Sequence, residues 1–138
     1  MVLATAEVPG PTFRLIPFQF PPIATFDVVT SAGDLEAVME LEGWTNDRLV
    51  VERLNRLPRD QWVFGVANAS IVMASFLHVS PEGMRFNTEA LGAWYAALAL
   101  STAAAEVAHH LRREAVFRRR REIRRKYRSY AATLLGSY

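Results

Sequence analysis

The run GMRFNTEALGAWYAALALSTAAAEV, residues 83–107, decides how this chain is read. Met84-Arg85-Phe86 and Ala93-Trp94-Tyr95-Ala96-Ala97 are short apolar and aromatic runs, and they predict two strands flanking a loop through Asn87 and Gly92. Ser101 then stands where an N-cap belongs, ahead of an alanine-rich stretch without glycine or proline that predicts a helix over Thr102–Ala115. A strand, strand, helix succession of this kind brings three distant side chains, Arg85, Tyr95 and Glu106, toward one cleft. The fold class that follows is α+β.

Outward from that run, Ser80-Pro81-Glu82-Gly83 has turn composition. Ser70–His78 suits either a small helix or a buried strand, because periodicity does not separate the two at this length. A helix following Thr45 through Glu52-Arg53 ends at Pro58. Ser31 with Asp34 three residues on predicts the start of another helix, with Leu35, Val38, Met39 and Leu41 following at helical spacing until Gly43. Thr12–Phe20 reads as a strand carrying Arg14, closed by Pro17 and the Pro21-Pro22 pair. On the other side, the helix continues or restarts over Val116–Lys126, giving a basic helical segment at 112–128, and Tyr127–Leu135 alternates as a strand. No internal repeat and no Gly/Ser/Pro-rich linker divides the chain, so a single domain over 1–138 is expected.

Composition sets the outer limits. With 138 residues, 51% hydrophobic and 22% charged, the chain can bury a core, and disorder is not its default. The absence of cysteine excludes disulfides and thiolate metal sites and makes a reducing cytoplasm the simplest setting. The N-terminal residues lack the basic flank and apolar stretch of a secretory signal. The uncharged stretches at 61–81 and 90–105 are interrupted by polar residues or too short for a membrane span. The net charge of +2 conceals an asymmetry: ten of sixteen basic residues lie between Arg112 and Arg128, whereas residues 1–111 hold six arginines against twelve acids, a net of −6. The basic segment is therefore expected to meet something acidic: a partner, a nucleic acid, or the acidic body of its own fold.

Arg85, Tyr95 and Glu106 suit a nucleotide that bears a cationic ring. A guanidinium binds phosphate bidentately, an aromatic face stacks on nicotinamide, and a carboxylate stabilises the cationic ribose that develops as a glycosidic bond breaks. Each residue also has an ordinary reading: an exposed strand arginine, a core aromatic beside Trp94, and a helix carboxylate paired with His109, His110 or Arg113. Spacing alone does not choose between them.

The order Gly83-Met-Arg-Phe-Asn87, Trp94-Tyr-Ala-Ala97 and Ala105-Glu-Val107 resembles the core of the RES domain. There a glycine-preceded arginine, a Tyr-x-Ala strand and an Ala-Glu helix motif follow one another. Phe13-Arg-Leu-Ile-Pro17 and Phe20-Pro-Pro-Ile23 are similar to the opening of one RES subgroup. The resemblance implies an ADP-ribosyltransferase-like fold, a mixed sheet core with flanking helices, and a toxin of a bacterial toxin–antitoxin pair that uses NAD as substrate. It implies cleavage of the nicotinamide–ribose bond, with ADP-ribose passed to water or phosphate, or alternatively to a protein side chain. Arg85, Tyr95 and Glu106 match the family's active-site residues, Arg14 matches its first-strand basic residue at the NAD site, and an Xre-type antitoxin is the implied neutralising partner. Met84 stands where the family commonly has a second glycine. RES domains also extend beyond the point matching residue 138, with their namesake serine in that part, so a C-terminally incomplete domain is expected. A remnant that only binds antitoxin or nucleic acid is the non-catalytic alternative.

Glu106-x-x-His109 with His110 has the look of a carboxylate-bridged metal motif, but such sites need a second copy and further glutamates, and none is present, so no metal is expected. Aromatic residues are sparse in Arg112–Arg128 and no nucleic-acid-binding pattern accompanies it, which argues against nucleic acid as the direct ligand. No membrane partner is expected.

Overall fold

A computed structural model describes residues 6–18, 24–45 and 52–136, the side chains of 41–45 excepted. It is a mixed α and β structure whose contacts separate into two compact units, Met1–Pro21 with Tyr95–Tyr138, and Pro22–Trp94.

The Pro22–Trp94 unit is helical. It holds α1 (Thr25–Val28), α2 (Ala32–Thr45), a 3-10 turn at Arg59–Gln61 and α3 (Ala69–Leu77). Helix α2 begins where Ser31 and Asp34 predict: the Ser31 hydroxyl accepts the Asp34 N–H at 3.1 Å and donates to the Asp34 carboxylate at 2.7 Å. Leu35 and Met39, four residues apart, face the same way and are fully buried. The first half of the expected helix before Pro58 lies outside the described residues; 52–54 are helical and a turn follows at 55–57. Ser70–His78, left open between helix and strand, is helix α3, apolar on nearly all sides and packed on α1. Ala69, Met73 and Leu77 on α3 join Leu35, Met39, Leu54, Trp62, Phe26 and Val29 in one core. Each large side chain so buried contributes about 1.5–3 kcal/mol before entropy is subtracted.

Both ends of α3 are finished by groups from elsewhere in the chain. At its start Asn68 takes a left-handed conformation (φ 66°) and makes no side-chain cap. Asp27 substitutes for it, its carboxylate accepting the Asn68 and Ser70 N–H groups at 2.7 Å each, while the Ser70 hydroxyl accepts the Phe26 N–H at 3.0 Å. Burial raises the Asp27 pKa, but the hydrogen bonds from Ser70 and Asn68 outweigh it and hold the carboxyl below its ordinary value. A carboxyl whose folded-state pKa is depressed contributes stability above its unfolded pKa of about 3.9, and that contribution disappears as pH falls through the folded value. Asp27→Ala is therefore expected to lower stability by about 1 kcal/mol at pH 7. In urea denaturation the gap between the two proteins should narrow as pH falls below the carboxyl's ordinary range.

At the other end of α3 the buried Arg53 guanidinium donates to the Leu77 carbonyl at 2.7 Å and to the Glu89 carbonyl at 3.2 Å, and the Gly92 N–H donates to the Phe76 carbonyl at 2.8 Å. A cation and an amide thus satisfy carbonyls that a helix C-terminus leaves open.

The unit formed by Met1–Pro21 and Tyr95–Tyr138 contains β1 (Pro11–Pro17), α4 (Leu100–Phe117) and β2 (Tyr127–Thr133). β1 and β2 pair antiparallel from Pro11↔Thr133 to Pro17↔Tyr127, and the Thr12 hydroxyl adds a bond to the Ala132 carbonyl at 2.9 Å. Where the resemblance implied a mixed sheet core, the described residues form this two-stranded antiparallel sheet, and β1's other edge carries the single bridge Phe13↔Ala97. The buried residues of this unit, among the described residues, are Thr12 and Ala103, so its core is small. None of the described helices is long and apolar enough to cross a membrane.

Two expectations at the ends of α4 are corrected. Ser101 does not cap it: the chain leaves extended geometry at Ala99 (φ −132°, ψ 141°), so Ser101 sits inside the first turn. Nor is 112–128 one basic helix. Helix α4 stops at Phe117, where the Arg119 N–H donates to the Val116 carbonyl and the Arg120 N–H to the Ala115 carbonyl, with Arg119 left-handed at φ 51°. This is the glycine-type helix stop built with an arginine, and no Gly or Pro announces it in the sequence. Replacing Arg119 by glycine removes the Cβ strain of the left-handed conformation and is expected to stabilise the protein by about 0.5–1 kcal/mol, read as a raised urea midpoint.

Candidate functional site

Arg14 lies in the middle of β1, directly across from Tyr130 of β2, so the two half-buried side chains share a face of the sheet. The Arg14 guanidinium donates a long hydrogen bond of 3.4 Å to the Tyr95 carbonyl. Burial lowers the Arg14 pKa, and attraction to the Tyr95 side chain opposes that change. An arginine stays charged under such a shift, so a cation is held half-buried against the Tyr95 backbone. Two of the residues singled out in the sequence, Arg14 and Tyr95, are thus brought together.

Tyr95 is half-buried and precedes a bridge that joins its segment to the sheet: the Phe13 N–H donates to the Ala97 carbonyl at 2.7 Å and the Ala97 N–H to the Phe13 carbonyl at 2.9 Å. The expected strand at 93–97 shrinks to that single bridge, because Leu98 and Ala99 turn directly into α4.

Helix α4 packs on β1. Its better-covered positions, Ala103, Val107, Leu111 and Ala115, recur every four residues and form the inner stripe. Glu106 is three residues beyond Ala103 and flanks that stripe with its carboxylate exposed, at the end of the helix's second turn. Among the described residues it forms no ion pair, so the pairing with His109, His110 or Arg113 weighed from spacing is absent there.

Arg85 belongs to the other unit and corrects an expectation. Met84-Arg85-Phe86 is not a strand: Met84 pairs with Asn87 across a tight turn that leaves Arg85 and Phe86 exposed at its tip, the guanidinium carbon 5.9 Å from the Phe86 ring centre. The cause is Gly83, at φ 72° with its Cα so close to the Asn87 carbonyl that a Cβ there would lie 2.6 Å from the oxygen. The glycine that marks the motif therefore folds the chain back on itself instead of opening a strand.

Sequence reasoning did not single out Tyr130 or Asp27. Tyr130 reaches Arg14 through a pairing between residues more than a hundred positions apart, for which no local pattern exists; Asp27 acts on a helix that begins some forty residues later.

The family model described as RES domain matches residues 53–136, more than half of the chain and inclusive of Arg85, Tyr95 and Glu106; Arg14 lies outside the matched region. Among curated proteins, the "Uncharacterized protein y4oC" of Sinorhizobium fredii (strain NBRC 101917 / NGR234) is 39% identical over 75 residues, which is 54% of this chain and 32% of the relative. The chain thus spans about a third of the length of the curated relative it matches. No solved structure matches it.

Proposed function

The chain belongs to the RES-domain family, and on that premise we propose that it is the NAD-cleaving part of a toxin from a bacterial toxin–antitoxin system, held in check by an Xre-type antitoxin. The observation that carries the reading is the half-buried Arg14 guanidinium set against Tyr95. A charged, planar donor fork next to a tyrosine supplies the two residue types a dinucleotide with a cationic base requires: a guanidinium for phosphate and an aromatic side chain for nicotinamide.

In this reaction the bond between C1′ of the ribose and the ring nitrogen of nicotinamide breaks. The electron pair leaves with nicotinamide, which departs neutral, and positive charge develops on the ribose. Glu106, exposed on the second turn of α4, supplies the carboxylate that stabilises this charge as it forms. Water or phosphate then adds at C1′ and releases a proton. Arg85 enters through its match to the family arginine alone.

The test of the binding half is titration of the folded chain with NAD. Arg14→Gln removes the charged fork and is expected to weaken NAD binding about tenfold or more, the loss of charge-assisted hydrogen bonds. Unchanged affinity in a folded Arg14→Gln protein would take the dinucleotide away from β1.

A further inference from the structure

The last turn of α4 presents apolar surface where a helix of this kind is ordinarily polar. Val116 is 73% and Phe117 88% exposed, at the edge of a shallow groove of about 660 Å³ that His109, His110, Arg112 and Arg113 also line. Exposed aromatic surface of this sort, rimmed by charge, marks sites of association.

The charges around it are unbalanced. Glu114 is engaged by Arg118 at 3.0 Å and by Arg125 at 3.1 Å, and Glu122 by Arg124 at 2.5 Å, so both acids of the basic segment are already used. Arg112, Arg113, Arg119, Arg120 and Arg121 have no acidic partner among the described residues. We propose that the C-terminal end of α4 docks an acidic protein segment that carries a bulky apolar side chain as its anchor. The arginines meet its carboxylates, while Val116 and Phe117 receive the anchor.

A nucleic acid backbone fits less well, since it offers phosphates to the arginines but leaves Val116 uncovered. A membrane surface fits less well because the rest of the exposed face of α4, with Glu106, His109 and Arg113, is polar. The surface lies apart from Glu106 on the same helix: Val116 is roughly 15 Å further along it at 1.5 Å per residue.

The probe is a synthetic helical peptide with glutamates on one face and leucines and a tryptophan on the other, labelled for fluorescence anisotropy against the full chain. The peptide should bind. Serine in place of its apolar residues, Phe117→Ser in the chain, and Arg113→Glu in the chain should each weaken it about tenfold or more. Phe117 is so exposed that its replacement leaves the fold intact, checked by an unchanged circular dichroism spectrum. Peptide affinity unaffected by Phe117→Ser overturns the proposal. So does tighter binding of a charge-matched oligothymidylate, or of phosphatidylserine vesicles, than of the peptide.

Discussion

Exchanging Glu106 for glutamine is expected to cut nicotinamide release from NAD by about a hundredfold or more while leaving NAD binding and stability close to unchanged. The change keeps the size of the side chain and removes only its charge. Because Glu106 is exposed on α4 and forms no ion pair among the described residues, nothing in the fold leans on that charge. A ground-state ligand gains little from it, whereas the ribose cation forming in the transition state gains a great deal, so the loss falls on turnover and not on affinity. The split is read from single-turnover release alongside equilibrium titration. Release at the original rate would remove Glu106 from the chemistry.

Gly92→Ala is expected to lower stability by about 2–3 kcal/mol. A Cβ at this position would lie 2.1 Å from the Ser75 carbonyl oxygen and 3.1 Å from the Phe76 Cα, all of it backbone that cannot swing aside. Relief requires the 92 segment to withdraw from α3, which breaks the bond from the Gly92 N–H to the Phe76 carbonyl. Arg53 is tied to the same place, through Leu77 on one side and Glu89 on the other, so its buried guanidinium loses its fit as well. An unchanged urea midpoint would mean that the close approach of this glycine to α3 does not hold in solution.

Local signals carried the elements they fully specify. Ser31 and Asp34 cap α2 as the pattern predicts, and of the strand expected over Thr12–Phe20 the part to Pro17 lies in β1, residues 19 and 20 lying outside the described ones. The alanine-rich stretch forms most of α4, though that helix starts two residues earlier than a Ser101 cap allows. Signals that depend on distant groups were not readable. The strand expected at Met84–Phe86 is a turn because Gly83 brings its own backbone against Asn87, which composition cannot distinguish from a strand entry. The arginine run after Phe117 ends α4 through a left-handed Arg119, an assignment that sequence rules reserve for glycine. Capping of α3 by Asp27 exists only once two helices are packed.

The same division holds for the site. Chemistry and family resemblance named Arg14 and Tyr95, and the fold puts the guanidinium of one on the backbone of the other. Tyr130, the cross-strand neighbour of Arg14, is visible only in the register of β1 and β2. It is the residue to vary next if Arg14 proves to bind phosphate.

The most direct measurement is nicotinamide released when the purified chain, shown to be folded by circular dichroism, is incubated with NAD and the products are separated. The account predicts one nicotinamide for each NAD lost, with ADP-ribose or its phosphorylated form as the other product, and almost none from Glu106→Gln. A folded chain that binds NAD and leaves it intact would contradict it.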